Sequence, residues 1–118
     1  MKGKRVLLVE DEPDMRSTVA EILIMEVGCP TIGASSMTEG ERYLSPLPDL
    51  VILDGTVNDG CTLPFVKILR DHGYTGIIIA HSSSQDSLKE LMDAGCVPLA
   101  KGRPLALAAL VRCCLEAQ

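Results

Sequence analysis

The stretch Leu50-Val51-Ile52-Leu53-Asp54 sets four aliphatic residues against a terminal carboxylate, and Val6-Leu7-Leu8-Val9 runs into Glu10-Asp11 in the same way. Such runs are too short for helices, and their lack of polar alternation marks strands buried on both faces. Ile77 to Ala80 forms a third run, and two weaker ones span Thr31 to Ala34 and Val97 to Ala100. The segments between them have helical spacing. Met15, Val19, Ile22 and Leu23 recur at the 3.6-residue rhythm, which predicts a helix from about Asp14 to Val27, entered through Pro13 and ended by Gly28. Ser36, with Glu39 three residues on, caps a second helix that reaches Leu44 and breaks at Ser45-Pro46. Leu63 to Asp71, Ser84 to Ala94 and Pro104 to about Ala117 give three more. Strands alternating with helices call for parallel pairing. Right-handed crossovers then give an α/β fold, a doubly wound five-stranded sheet in the order 2-1-3-4-5 between two helical layers.

The 118 residues fit one compact domain, residues 1–118, with no repeat, linker or low-complexity tract to divide it. An apolar share of 47% and a charged share of 23% are those of an ordinary globular chain. The formal charge of −5 comes without a clustered basic face, which argues against direct nucleic-acid binding. Tyr43, Phe65 and Tyr74 are too few for a base-stacking platform. No apolar run approaches the roughly 20 residues of a membrane span, and Met1-Lys2-Gly3-Lys4-Arg5 leads directly into the first strand rather than into a secretion signal. A cytoplasmic protein is therefore expected. Cys29, Cys61, Cys96, Cys113 and Cys114 lack C-x-x-C spacing, so reduced thiols are expected and no zinc site.

In a doubly wound sheet, ligands bind outside the carboxyl ends of the strands at the point where strand order reverses. Glu10 and Asp11 follow the first strand and Asp54 ends the third, its neighbour, so the three carboxylates should converge. Clustered carboxylates repel one another unless a cation neutralises them. Mg²⁺ suits such a site because it accepts a few carboxylates, keeps several waters and is completed by phosphate oxygens.

Over nearly the whole chain these features resemble the response-regulator receiver (CheY-like) family of two-component and phosphorelay systems. Val6-Leu7-Leu8-Val9-Glu10-Asp11-Glu12-Pro13 is similar to that family's first strand and acidic pair, and Asp49-Leu50-Val51-Ile52-Leu53-Asp54 to the strand carrying its phosphorylated aspartate. Ala94-Gly95-Cys96 resembles the Ala-Gly-Ala ahead of the fifth strand, and Lys101 matches the lysine that touches the phosphoryl group. The resemblance implies a flavodoxin-like three-layer sandwich. It also implies Asp54 as phosphoacceptor and metal ligand, Asp11 as direct ligand, Glu10 as a ligand mainly through water, and the Thr56 main-chain carbonyl as a further one. Mg²⁺ or Mn²⁺ is the implied cofactor. A phosphohistidine in a sensor histidine kinase or phosphotransfer protein is the implied donor, and a downstream effector or output domain the recipient of the signal. Such a domain is not a turnover enzyme; it catalyses its own phosphorylation and a slow autodephosphorylation. The apolar last helix, with Leu105, Leu107, Ala108, Ala109 and Leu110, either packs on the sheet or offers a homodimer surface, and packing is the expectation.

Four departures from the family pattern bear on output. The Thr or Ser that ends the fourth strand falls at His81 by an ungapped count from Ala94-Gly95, while a one-residue shift, read as a strand bulge, installs Ser82. Ser82 is the favoured hydroxyl donor, and His81 can donate from a ring nitrogen. Pro98 stands where an aromatic switch residue belongs, and Asn58 replaces a proline in the loop after Asp54. Lys101-Gly102-Arg103-Pro104 replaces a Lys-Pro pair, and the glycine is expected to leave the lysine less firmly aimed. An adaptor that keeps the fold without phosphotransfer is the main competing reading. Leu53-Asp54-Gly55-Thr56 fits the phosphatase pattern Asp-x-Asp-Gly-Thr poorly, because Ile52 occupies the nucleophile position. A nucleotide-binding domain would want a glycine-rich phosphate loop where Glu10-Asp11-Glu12 stands.

Overall fold

A computed structural model describes residues 3–117. Met1 and Lys2, which open the basic stretch noted above, and Gln118 lie outside the described residues. The elements run β1 (Val6–Val9), α1 (Pro13–Glu26), β2 (Thr31–Ala34), α2 (Met37–Glu41), β3 (Leu50–Leu53), β4 (Thr56–Val57), β5 (Gly60–Cys61), α3 (Leu63–Asp71), β6 (Ile78–Ser82), α4 (Gln85–Asp93), β7 (Val97–Ala100) and α5 (Pro104–Glu116). The main sheet is parallel with the order β2-β1-β3-β6-β7, so its five strands follow the expected 2-1-3-4-5 path.

Every residue of β1 and β3 is buried because the two sheet faces each carry a helix layer. Val6, Leu8, Leu50, Ile52 and Ile79 pack with Val19 and Leu23 of α1 and with Leu107, Val111 and Leu115 of α5. Leu7, Val9, Val51, Leu53, Ile78 and Ala80 pack on the other face with Phe65 and Leu69 of α3 and with Leu88 and Leu91 of α4. This alternation within unbroken aliphatic runs makes a three-layer α/β sandwich. Leu107 and Ala108 of α5 are buried in it, whereas Leu105 is 67% exposed.

Helix ends follow from local chemistry. At the end of α1, Gly28 takes a φ of 70°, and the Cys29 N–H closes back on the Leu23 carbonyl at 3.3 Å. Ser36 caps α2 by accepting from the Glu39 N–H at 3.0 Å, while the Glu39 carboxylate accepts from the Ser35 N–H. Regular helix stops at Glu41 rather than the expected Leu44. From there the Arg42, Tyr43 and Leu44 amides bond three residues back, which tightens the chain into 3₁₀-like turns ahead of Pro46.

Two further differences bear on the site. The strand predicted over Ile77 to Ala80 instead runs from Ile78 to Ser82, pairing His81 with Leu99 and Ser82 with Ala100 in unbroken register. No bulge is needed to bring Ser82 to the strand end. The loop after Asp54, in which no strand was predicted, folds into the β4–β5 hairpin. At the sheet edge the Lys101 N–H donates to the Ser82 carbonyl, so alternate residues of β7 turn their N–H groups inward and Pro98 faces its nitrogen outward. A proline there costs no ladder bond and blunts the edge against pairing with another strand.

Candidate functional site

β1 and β3 lie side by side, with Val9 opposite Leu53, and the Asp54 N–H donates to the Val9 carbonyl at 2.9 Å. That pairing carries the two strand ends, and their carboxylates, to one point. Ligand atoms of Glu10, Asp11 and Asp54 lie within 4.8 Å of one another. They line an open cleft of about 430 Å³ with Glu12, Asp14, Met15, Thr18 and Lys101.

Glu10 is 1% exposed. Its Oε2 accepts from the Glu12 N–H at 3.2 Å, whereas the buried Oε1 receives no directed hydrogen bond and is compensated by the Lys101 ammonium at 2.8 Å. Lys101 also reaches Asp54 Oδ2 at 3.1 Å. Burial works to lower the lysine's pKa, but the Glu10 and Asp54 carboxylates outweigh it and hold the ammonium above its ordinary value. Gly102, at a φ of 97°, thus does not leave Lys101 loosely aimed as expected; two carboxylates fix the side chain.

The remaining Asp54 oxygen, Oδ1, accepts from the Gly55 N–H at 2.7 Å. Thr56, whose carbonyl the resemblance implicates, opens β4 two residues beyond Asp54. Ser82 and His81 take opposite faces of the sheet. Ser82 has the parity of Ile78 and Ala80, and its hydroxyl would stand 3.0 Å from a Cβ placed on Gly55, so it borders the loop that carries Asp54. His81 has the parity of Ile79 and faces α1 and α5. Burial pushes its pKa below the ordinary value, the Lys101 charge adds to this, and Glu10 opposes it.

Several supporting residues escape a reading of the sequence. Thr62, fully buried, donates its hydroxyl to the Asp54 carbonyl at 2.6 Å, and its N–H bonds the Gly55 carbonyl. Its position just ahead of Leu63-Pro64 reads as a helix cap, yet the hydroxyl is spent on the acidic loop instead. Arg16 donates to the Glu10 carbonyl at 2.8 Å, and its stem passes where a side chain on Gly33 would stand. Nothing in the local sequence around Arg16 signals that reach.

No family model matches the sequence, and no curated protein matches it. Solved structures do resemble it. The receiver domain of the Francisella response regulator 1452 superposes with a TM-score of 0.84 at 19% identity over 98% of both chains. A CheY-like response regulator receiver domain protein from Methanospirillum hungatei gives 0.85 at 19% identity, covering 97% of this chain and 94% of that one. The Vibrio cholerae chemotaxis protein CheY4 gives 0.82 at 23% identity, covering 95% and 98%. Strand order, layer arrangement and near-complete coverage agree, and the chain therefore carries the CheY-like fold of response-regulator receiver domains.

Proposed function

We propose that this single domain is a phosphoacceptor signalling module in which Asp54 takes a phosphoryl group from a phosphohistidine donor, with a divalent cation held beside it. The observation that carries the reading is the convergence of Glu10, Asp11 and Asp54 within 4.8 Å beside the Lys101 ammonium. The donor set fits a hard cation: all three side chains offer oxygen, and the buried Glu10 Oε1 is met only by the Lys101 ammonium at 2.8 Å, a cation already standing among the three carboxylates. Asp11 and Asp54 would hold Mg²⁺ or Mn²⁺ directly, Glu10 mainly through water, and the Thr56 carbonyl would complete the protein's share. When bound, the cation neutralises phosphoryl oxygens and lowers the repulsion a carboxylate nucleophile meets.

The chain's own residues do the rest. A carboxylate oxygen of Asp54 attacks phosphorus, the O–P bond forms as the N–P bond to the donor imidazole breaks, and an acyl phosphate results. Lys101 leaves its carboxylate partners to pair with the transferred group, so its charge moves with the phosphoryl oxygens. Ser82 donates its hydroxyl to one of them, a role the neighbouring His81 fills less well from the opposite face. The Thr62 hydroxyl and the Gly55 N–H keep the Asp54 backbone and carboxylate aimed. Partners are a histidine kinase or phosphotransfer protein upstream and an effector or output domain downstream, in the cytoplasm, with a homodimer as one form of output. Pro98 leaves no aromatic to swing inward, so the signal leaves by another route, through the segment from Ser82 to α4.

An adaptor that keeps the fold without phosphotransfer is favoured by one observation, the ready neutralisation of Glu10 and Asp54 by Lys101 alone. Incubation with acetyl phosphate separates the two readings. Phosphotransfer expects Mg²⁺-dependent uptake that Asp54→Ala abolishes; an adaptor takes up no more than that variant.

A further inference from the structure

A second cavity, of about 200 Å³, lies between α1, α5 and the loop joining β7 to α5, with Met15 and Thr18 dividing it from the acidic cleft. Val19, Ile22 and Leu107 give it apolar walls, and His81 contributes the buried polar group. His81 is 4% exposed, and among the described residues no hydrogen-bonding partner meets its ring. A buried polar group is normally paired, because losing water without a replacement partner is costly. Here the imidazole faces a space with room for something that could pair with it. Burial keeps the ring neutral near neutral pH, and a neutral imidazole offers one donor and one acceptor. Cavities on the order of 150 Å³ accommodate benzene, so this one takes a single-ring molecule. Arg103 also lines the cavity but is itself exposed and solvated, and a charged occupant would forfeit its hydration against the remaining, apolar walls.

We propose that this cavity binds an uncharged, single-ring organic molecule bearing one hydroxyl group, which hydrogen-bonds His81 while its ring packs on Val19, Ile22 and Leu107. Binding there does not require phosphotransfer at Asp54. It makes the chain a candidate sensor of small phenol-like molecules through the helix that also borders the acidic cleft.

Titration of the ¹⁵N-labelled chain with phenol and with toluene, followed by amide shifts, tests this. Phenol should saturate and move amides of Met15 to Ile22 and Gly102 to Leu107, and toluene should bind about tenfold more weakly for want of the hydrogen bond. His81→Leu should erase that preference. Ile22→Phe, which keeps His81 and fills the cavity, should abolish binding of both while leaving cooperative melting intact. Should His81→Leu fail to fold, the wild-type preference and Ile22→Phe still decide the matter. Equal binding of phenol and toluene to the wild type, shifts confined to other surfaces, or no saturable response would overturn the assignment.

Discussion

Glu10 keeps a carboxylate at 1% exposure, which is tolerable only because the Lys101 ammonium stands 2.8 Å away. Removing that ammonium leaves two carboxylates facing each other. Lys101→Met should therefore lower the unfolding free energy by about 2–4 kcal/mol in a metal-free buffer, read by urea denaturation, and Mg²⁺ should restore part of the loss. His81 gives a separate handle on pH. Its folded pKa lies below the value near 6.5 of the unfolded chain, so on acidification the unfolded chain takes up the proton first. The stability this neutral histidine confers is complete above about pH 6.5 and is lost as pH falls from there toward the folded value. Lys101 strengthens the effect and Glu10 weakens it. Chemical denaturation between about pH 7 and pH 5 should show stability falling with pH, with a shallower fall in His81→Leu. At this scale the acidic trio was legible, because a strand-end carboxylate needs only the strand order to be located. Thr62 was not, because the target of its hydroxyl is set by a loop that folds back on Asp54.

Among the elements, α4 approaches the acidic loop closely enough to constrain it. A Cβ on Gly55 would stand 2.5 Å from Ser87 Cβ, closer than packed atoms tolerate. Gly55→Ala should thus push α4 outward and cost about 1–3 kcal/mol. Ser87→Gly should recover much of this in the double variant, whereas Ser87→Ala should not, since the clash is with Cβ itself. A thermodynamic cycle on the four proteins checks it. The β4–β5 turn is tied down differently: Asp59 accepts from the Met37 and Thr38 N–H groups and from the Thr38 hydroxyl at the start of α2. Those bonds hold its pKa below the ordinary carboxylate value. Asp59→Ala should accelerate amide exchange in α2 and in the hairpin while leaving that of β1 and β3 unchanged. Five strands and five helices could be read from aliphatic runs and cap residues. The hairpin could not, because Asp59 bonds a helix 21 and 22 residues earlier in the chain. The aliphatic run alone ends at Ala80, because His81 and Ser82 are polar, and it is pairing with β7 that carries both into the sheet.

For the molecule as a whole, the two aliphatic cores on either side of the sheet explain why a chain with so few aromatics closes into one body. They also explain why the acidic site sits where it does: the strand order brings β1 and β3 together and leaves their carboxyl ends uncovered. Among the described residues no helix is long and apolar enough to cross a membrane. On the proposed ligand roles, divalent metal should raise the melting temperature of the wild type in a saturable way, and Asp11→Ala, which would remove a direct ligand, should weaken that response more than Glu10→Gln, which would remove a water-mediated one. Borohydride trapping puts the phosphoacceptor claim to its most direct trial, since it reduces an aspartyl phosphate to homoserine and fixes its position. After incubation with acetyl phosphate and Mg²⁺, peptide mass spectrometry should find homoserine at position 54 and nowhere else, and none when the metal is chelated. Homoserine at another carboxylate, or an unmodified Asp54 in a folded, Mg²⁺-saturated protein, would contradict it.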